Sequence, residues 1–449
     1  MKKMTEGNIY KVFILFAIPL ILSGVLSHMY HMIDTMIAGH YLGEHGLAAI
    51  GATSSLMTFL STMISGYIVG FGVYIARLFG AGEYERIRRG IWTHYTVCIV
   101  LAMLIAAISV LFRNPIMDLL RVEADIRDDA MKYFLICMVG QVVFLMNTNG
   151  SILLGSLGDS GFPFWMSLLS AVLNICGNIL SVTVLGLGVV GIAWASVISA
   201  GITGFCYLMR FKACFRKLLP ERSRIRWSLV ETRIALPYSL PAVLQQFSMY
   251  VAGLILSPML NSMGSAVIAS YVVSSQLLGI CNTLYQNSSR TVSNYAAQCM
   301  GTAHEGAMKR AMLKRGLWVG FLQSLLFVLV LLIPCLCVPR FAVSLFFAEG
   351  SAGESIALSV TFVRVFLPFV LFNIVNNLFH SFFRGVKAMH LLVIATVFAS
   401  VVRIAVSIPL TSALGLNGFY IGMVTAWVAE AIFVLILYRL NVWVPKELR

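Results

Sequence analysis

The sequence predicts an all-α membrane protein of about 12 transmembrane helices, arranged as two six-helix bundles related by a pseudo-two-fold axis along the membrane normal. Three observations carry this reading. Of 449 residues, 59% are hydrophobic and only 11% charged, with a mean hydropathy of +0.89, whereas charged residues run near about 25% in soluble domains. Apolar runs of about 18 residues or more recur about twelve times, each long enough to cross a bilayer. Laid on itself at a shift of about 220 residues, the chain also repeats a collinear set of short matches.

The first span, near 11–38, opens on KVFILFAIPLILS and carries a polar stripe: Asp34, with Tyr30 and His31 one turn earlier and Ser27 two turns earlier. The N-terminal MKKMTEGNIYK resembles a signal-peptide head. The apolar run behind it is too long and ends in no small-residue cleavage site, so it reads as a retained helix. The second span, near 47–75, holds Gly66, Gly70 and Gly72, small residues that let helices approach closely. The third (92–112) and fourth (130–155) flank a mixed-charge segment at 113–129. The fifth (163–185) places Asn174 and Asn178 four residues apart on one face, and the sixth (189–209) adds Ser196 and Ser199 beside Gly191 and Ala195. The seventh (234–257) contains Pro237, Gln245 and Gln246. The eighth (266–290) and ninth (316–338) flank a basic loop at 301–315. The tenth (357–382) contains Asn373, Asn376 and Asn377, the eleventh (391–411) Arg403 and the twelfth (415–438) Glu430.

The repeat sets the domain plan. Pro19 in FAIPLILS falls on Pro237 in IALPYSLP, Gly46 on Gly264, and after a three-residue slip ARLFGAGE at 76–83 falls on AQCMGTAH at 297–304. Later, GSLGDSGFPF at 155–164 lies on RGVKAMHLL, and LGLGVVGIA at 185–193 on LGLNGFYIG at 414–422. The expected lobes are 1–215 and 234–449, joined by a cytoplasmic linker at 216–233. Proline inside a span removes a backbone hydrogen bond, so its recurrence at 19 and 237 marks both as hinges.

The net charge of +14 describes topology and excludes nucleic acid as the partner: with the N-terminus inside, roughly 25 of the 32 Lys and Arg fall at the termini and in inner loops. The expectation is a multi-pass protein of the cell (plasma) membrane, monomeric, in contact with lipid, both termini cytoplasmic. Nine cysteines form no CxxC pair and no cluster at metal-ligand spacing. No nucleophile elbow, HExxH, phosphate-binding loop or cofactor-sized soluble domain is present, so an enzyme is not expected and neither is a cofactor.

Few ionisable groups lie deep in the spans. Asp34 is the most informative, because its side chain is too short to snorkel and an unpaired carboxylate in lipid is costly. With Asn174, Asn178 and Ser196 it makes a cage of hard oxygen ligands suited to a proton relay or, as the one metal expectation, to a sodium ion at Asp34, Asn174 and Asn178. Arg403 and Glu430 are expected to pair across the last two helices, and Arg384 to mark the inner loop after the tenth.

The run FAIPLIL, DTMIAGHYLGEHGLAAIG, ARLFGAGE, GSLGDSGFP and RGVK, in order and across the whole chain, resembles the multidrug and toxic compound extrusion (MATE) transporters of the multidrug/oligosaccharidyl-lipid/polysaccharide exporter superfamily. The resemblance implies secondary active efflux of organic cations or amphipathic drugs by alternating access, in antiport with protons or sodium. It also gives Asp34 the place of the family's coupling carboxylate, with Asn174, Asn178 and Ser196 as accompanying polar groups. Where sodium-binding members carry acids in the seventh and tenth helices, this chain has Gln245, Gln246, Asn373, Asn376 and Asn377. A second ion site is therefore not expected there. Tyr30, His31, Ser27, Gln245, Gln246, Asn373 and Asn376 are the candidates for lining the substrate cleft. The alternative function is a flippase for lipid-linked saccharide precursors, which calls for several Arg or Lys in the N-terminal half to hold a pyrophosphate.

Overall fold

The computed structural model describes residues 3–218, 228–347 and 353–445, and every regular element among them is helical. Eleven helices are long and apolar enough to cross a membrane, or twelve when one bent pair counts as a single span.

The first two expected spans form one element, α1 (Ile9–Ala81), broken at Gly43, whose φ of 66° and ψ of −163° are not helical. The chain continues through α2 (Tyr84–Leu111), α3 (Arg113–Leu119), α4 (Arg127–Val139) and α5 (Gln141–Ser156). The fourth expected span is the α4–α5 pair, bent by 48°. The bend lies at Gly140, where a Cβ would sit 2.4 Å from the Val197 side chain. Next comes α6 (Gly161–Ile179), which runs into a π-helical turn at Leu180–Val184, and then α7 (Gly188–Leu218).

The second half follows with α8 (Leu229–Asn261), α9 (Ser265–Gly301), α10 (Gly306–Cys337), α11 (Pro339–Ser344), α12 (Gly353–Thr361), α13 (Val370–Gly385), α14 (Met389–Leu414) and α15 (Leu416–Arg439). Between α12 and α13 the tenth span passes through a π turn and a 3-10 turn containing Pro368, which has no N–H to give the helix.

The internal repeat is visible in backbone detail. At the end of α5, Asp159 N bonds Leu154 O and Gly158 takes φ 78°; at the end of α13, Ala388 N bonds Phe383 O and Lys387 takes φ 65°. These are the same helix stop 229 residues apart, and the second uses a lysine where the first has the glycine such a turn favours. Gly186 (φ 61°) and Gly415 (φ 58°) repeat likewise. The turn between the first two spans of each half corrects the alignment: Gly264 (φ 92°, ψ 163°) has its conformational match in Gly43 rather than in Gly46. The three-residue slip therefore falls before that turn.

The described residues cluster into two compact units, Leu22–Ser239 and Met4–Ile21 with Leu240–Arg449. In both α1 and α8 the change of unit lies two residues beyond the paired prolines, Pro19 and Pro237. In the first unit, Gly70 packs where a Cβ would meet the Tyr238–Ser239 backbone at 2.4 Å, and Gly72 faces Ile152 and Ser156 at 2.9 Å. In the second, Phe13, Phe16 and Leu20 pack with Tyr295, Leu317, Phe379 and Phe382. Residues 229–233, part of the expected linker, are helical, and Glu231 there is buried. The central stretch 219–227 of that linker lies outside the described residues.

Candidate functional site

Close approach of α6 and α7 builds the site in the first unit. Gly177 faces Ala195 Cβ at 3.0 Å from where its own Cβ would stand, and Gly191 faces Ser181 Cβ at 2.7 Å. No side chain larger than hydrogen fits either glycine without movement, and the two helices meet closely enough for short polar side chains to join them. Asn174 and Asn178, both fully buried, occupy the α6 face at this seam.

A chain of hydrogen bonds runs through it. Asn178 Nδ2 donates to Asp34 Oδ1 and, at 2.9 Å, to Asn174 Oδ1. Asn174 Nδ2 donates to Ser196 Oγ at 2.9 Å. The Tyr30 hydroxyl interacts with both Ser196 and Asp34, which closes the chain into a ring. One direction is consistent with all of these bonds: Asn174 gives to Ser196, Ser196 to Tyr30, Tyr30 to Asp34, while Asn178 gives to Asp34 from the other side. Both arms of the ring therefore end on the carboxylate. Asn178 Oδ1 is buried and has no hydrogen-bond partner. Among the described residues no basic side chain pairs with Asp34.

The structure thus brings Asp34, Asn174, Asn178, Ser196 and Tyr30 together. Two residues that sequence reasoning missed belong with them: Tyr133 and Cys137 of α4 interact with each other and lie within electrostatic reach of Asp34. Their four-residue spacing on one helix face was the available signal. Ser27 is exposed, and its hydroxyl turns back to the Ser23 carbonyl at 2.9 Å instead of joining the ring. The His31 side chain lies outside the described residues.

In the second unit, Gln245 is buried between two polar partners, with its Nε2 3.2 Å from His380 Nδ1 and its Oε1 accepting from Arg384 Nη2 at 3.1 Å. Asn376 is fully buried and donates to the Trp427 carbonyl at 3.0 Å. Gln246 and Asn373 are half-buried. The expected Arg403–Glu430 pair is not formed. Glu430 meets His380 instead, Oε1 to Nε2 at 3.0 Å but off the hydrogen-bonding axis, because α13 presents His380 to α15. Arg403 lies over the Phe419 ring at 6.0 Å. Arg384 also departs from expectation: it stands in the last turn of α13 and points inward to Gln245, not in a loop.

Among the described residues, no group of three or more His, Cys, Asp or Glu is placed to hold a metal ion. The MatE family model matches residues 19–180 and again 241–408, once in each half. The chain belongs to the MatE family. Curated relatives agree: "Probable multidrug resistance protein YoeA" of Bacillus subtilis is 24% identical over 330 residues, covering 72% of this chain and 71% of the relative. "Probable multidrug resistance protein YpnP" of the same organism is 23% identical over 446 residues, covering 99% and 98%. Among solved structures, a MOP superfamily transporter from Pyrococcus furiosus superposes with a TM-score of 0.87 at 20% identity, covering 98% of this chain and 99% of that one. The MATE fold is accordingly that of a multi-pass membrane transporter.

Proposed function

We propose that this MATE protein is a secondary active exporter of amphipathic small molecules, working by alternating access in antiport with protons, and that Asp34 is the coupling group. The observation that carries the reading is the polarised ring: both arms deliver a donor to one carboxylate, and no cation among the described residues neutralises it. Such a group is stable ionised only while both donors stay in place. Adding a proton makes one oxygen of Asp34 a donor, and the ring as drawn offers that proton no acceptor. Asn178, already bonded to Asp34, carries an unpartnered acceptor in its Oδ1. Turning the Asn178 amide to receive the proton withdraws its Nδ2 from both Asp34 and Asn174, so protonation reorders the seam between α1, α6 and α7.

A sodium ion is the second coupling candidate, since Asp34 and the free Asn178 oxygen are hard ligands. The names of the Bacillus relatives support multidrug export as the cargo class. Bending at Pro19 and Pro237, beside the points where α1 and α8 change unit, supplies the hinges of the cycle. A flippase would need cationic groups at this site; what stands here is an acid among neutral amides and hydroxyls.

The test is transport of rhodamine 123 and of fluorescein by the purified full chain in proteoliposomes, under imposed proton or sodium gradients. Asp34→Asn should retain dye binding and lose gradient-driven movement. Gradient-driven movement equal to wild type in that variant refutes the coupling assignment.

A further inference from the structure

The second unit carries a cationic pair that the ring in the first unit does not use. Arg384, on α13, gives one Nη2 bond to Gln245, and its Nε is buried with no acceptor. Arg290, on α9, is close enough for the two guanidinium groups to repel. The helices are drawn together at Gly385, where a Cβ would stand 2.6 Å from Ala296 Cβ and 2.8 Å from the Ser293 carbonyl oxygen. Arg290 makes no hydrogen bond or ion pair among the described residues. Its side chain is exposed and so open to a ligand.

Among the described residues no carboxylate pairs with either arginine. The acids within the spans of this unit are Glu354, in the first turn of α12, and Glu430, which faces His380. Two unneutralised guanidinium groups that repel one another are costly to keep together, and the ordinary remedy is an anion shared between them. The fold itself does not require them. By the backbone correspondences above, the repeat equivalent of Arg384 is Gly155, 229 residues earlier, and that of Arg290 is Val69, 221 residues earlier. Two apolar positions of the first unit have become cations in the second. Asn376, His380 and Arg384 also follow one another at four-residue spacing on α13, so a polar stripe leads along that helix to the pair.

We infer that Arg290 and Arg384 form a binding site for the anionic group of the cargo, a carboxylate, sulfonate or phosphate on an amphipathic organic molecule. The site therefore selects organic anions or zwitterions over simple organic cations. Calling the ligand cargo rests on the exporter reading above; the existence of the site does not. Planar guanidinium groups suit a two-oxygen anion held in bidentate fashion, with Gln245 fixing the plane of Arg384.

The test is equilibrium binding, by fluorescence anisotropy, of fluorescein and of fluorescein methyl ester, which differ by one carboxylate, to the full chain in phosphatidylcholine nanodiscs. Charge-assisted bonds of this kind correspond to about ten- to hundred-fold in affinity. Wild type should prefer the acid to the ester by at least about ten-fold, Arg290→Gln should remove the preference, and Arg290→Lys should keep part of it. Among the described residues Arg290 has no hydrogen-bond or ion-pair partner to lose, so its substitution breaks no polar contact there. Equal affinity of wild type for acid and ester, or an undiminished preference in Arg290→Gln, would overturn the site. Retained fluorescein binding when phosphatidylglycerol is added to the discs is expected; displacement would overturn soluble cargo in favour of a lipid headgroup. An intact carboxylate preference without gradient-driven transport would fail the exporter reading alone.

Discussion

Replacing Gly191 by alanine should break the polar ring without touching any of its members. The added Cβ would stand 2.7 Å from Ser181 Cβ and Oγ, against an ordinary contact of 3.4 Å, so α7 must move away by about 0.7 Å. The same movement stretches the Asn174–Ser196 bond from 2.9 Å to about 3.6 Å, past hydrogen-bonding range. Overpacking of this kind costs about 1–3 kcal/mol, and the lost neutral hydrogen bond about 0.5–1.5 kcal/mol. Removing a helical glycine returns about 1 kcal/mol. The balance is a destabilisation of about 0.5–3.5 kcal/mol, read as a lower midpoint of thermal unfolding in detergent, with slower transport. Ser181→Gly in the same chain removes the obstructing atoms and should restore much of both. A midpoint for Gly191→Ala at or above wild type, or no rescue by Ser181→Gly, refutes the claim that this glycine sets the α6–α7 distance.

Gly418→Ala should be more severe, since its Cβ would fall 1.9 Å from the Leu410 carbonyl oxygen, which is backbone and cannot swing aside; the expected outcome is little folded protein by size-exclusion chromatography. Gly201→Ala, whose nearest neighbour is Val143 at 3.7 Å, is the converse case and should raise the unfolding midpoint by the equivalent of up to about 1 kcal/mol. Glu231 accepts from the Tyr74 hydroxyl and from Arg86 Nε at 3.2 Å. Tyr74→Phe should therefore cost about 1–3 kcal/mol, because Glu231 is buried and loses its buried donor. Arg86→Ala should cost less than breaking a fully buried pair, as its side chain is 36% exposed. Both are read from thermal unfolding of the purified chain.

The spans were legible because lipid demands long apolar runs. Asp34, Asn174, Asn178 and Ser196 were legible because an oxygen-bearing side chain in such a run has little reason to be there except another polar group. Helix ends were less so: α9 continues to Gly301 and α10 begins at Gly306, since hydropathy reports where lipid stops and not where the helix does. Tyr133 and Cys137 escaped notice because each residue type is common in apolar packing. Glu430 was matched to Arg403 by adjacency along the chain, whereas its partner His380 comes from α13. Long-range pairing of this sort leaves no periodic trace in a single sequence. The inward turn of Arg384 was hidden for the same reason, as its partner Gln245 lies 139 residues away.

The membership of Met4–Ile21 in the later unit has a consequence for biogenesis. The Met4 amide bonds Gln298, 294 residues further on, and the Phe13 ring meets Tyr295 edge-on at 5.2 Å. This segment thus emerges from the ribosome long before its native neighbours exist, and it must rest in lipid or in a chaperone's grip until the 294 residues that separate Met4 from Gln298 have been made. A chain whose halves repeat one plan has, in this way, tied the start of one repeat to the other, and neither half cut free would carry a complete set of partners.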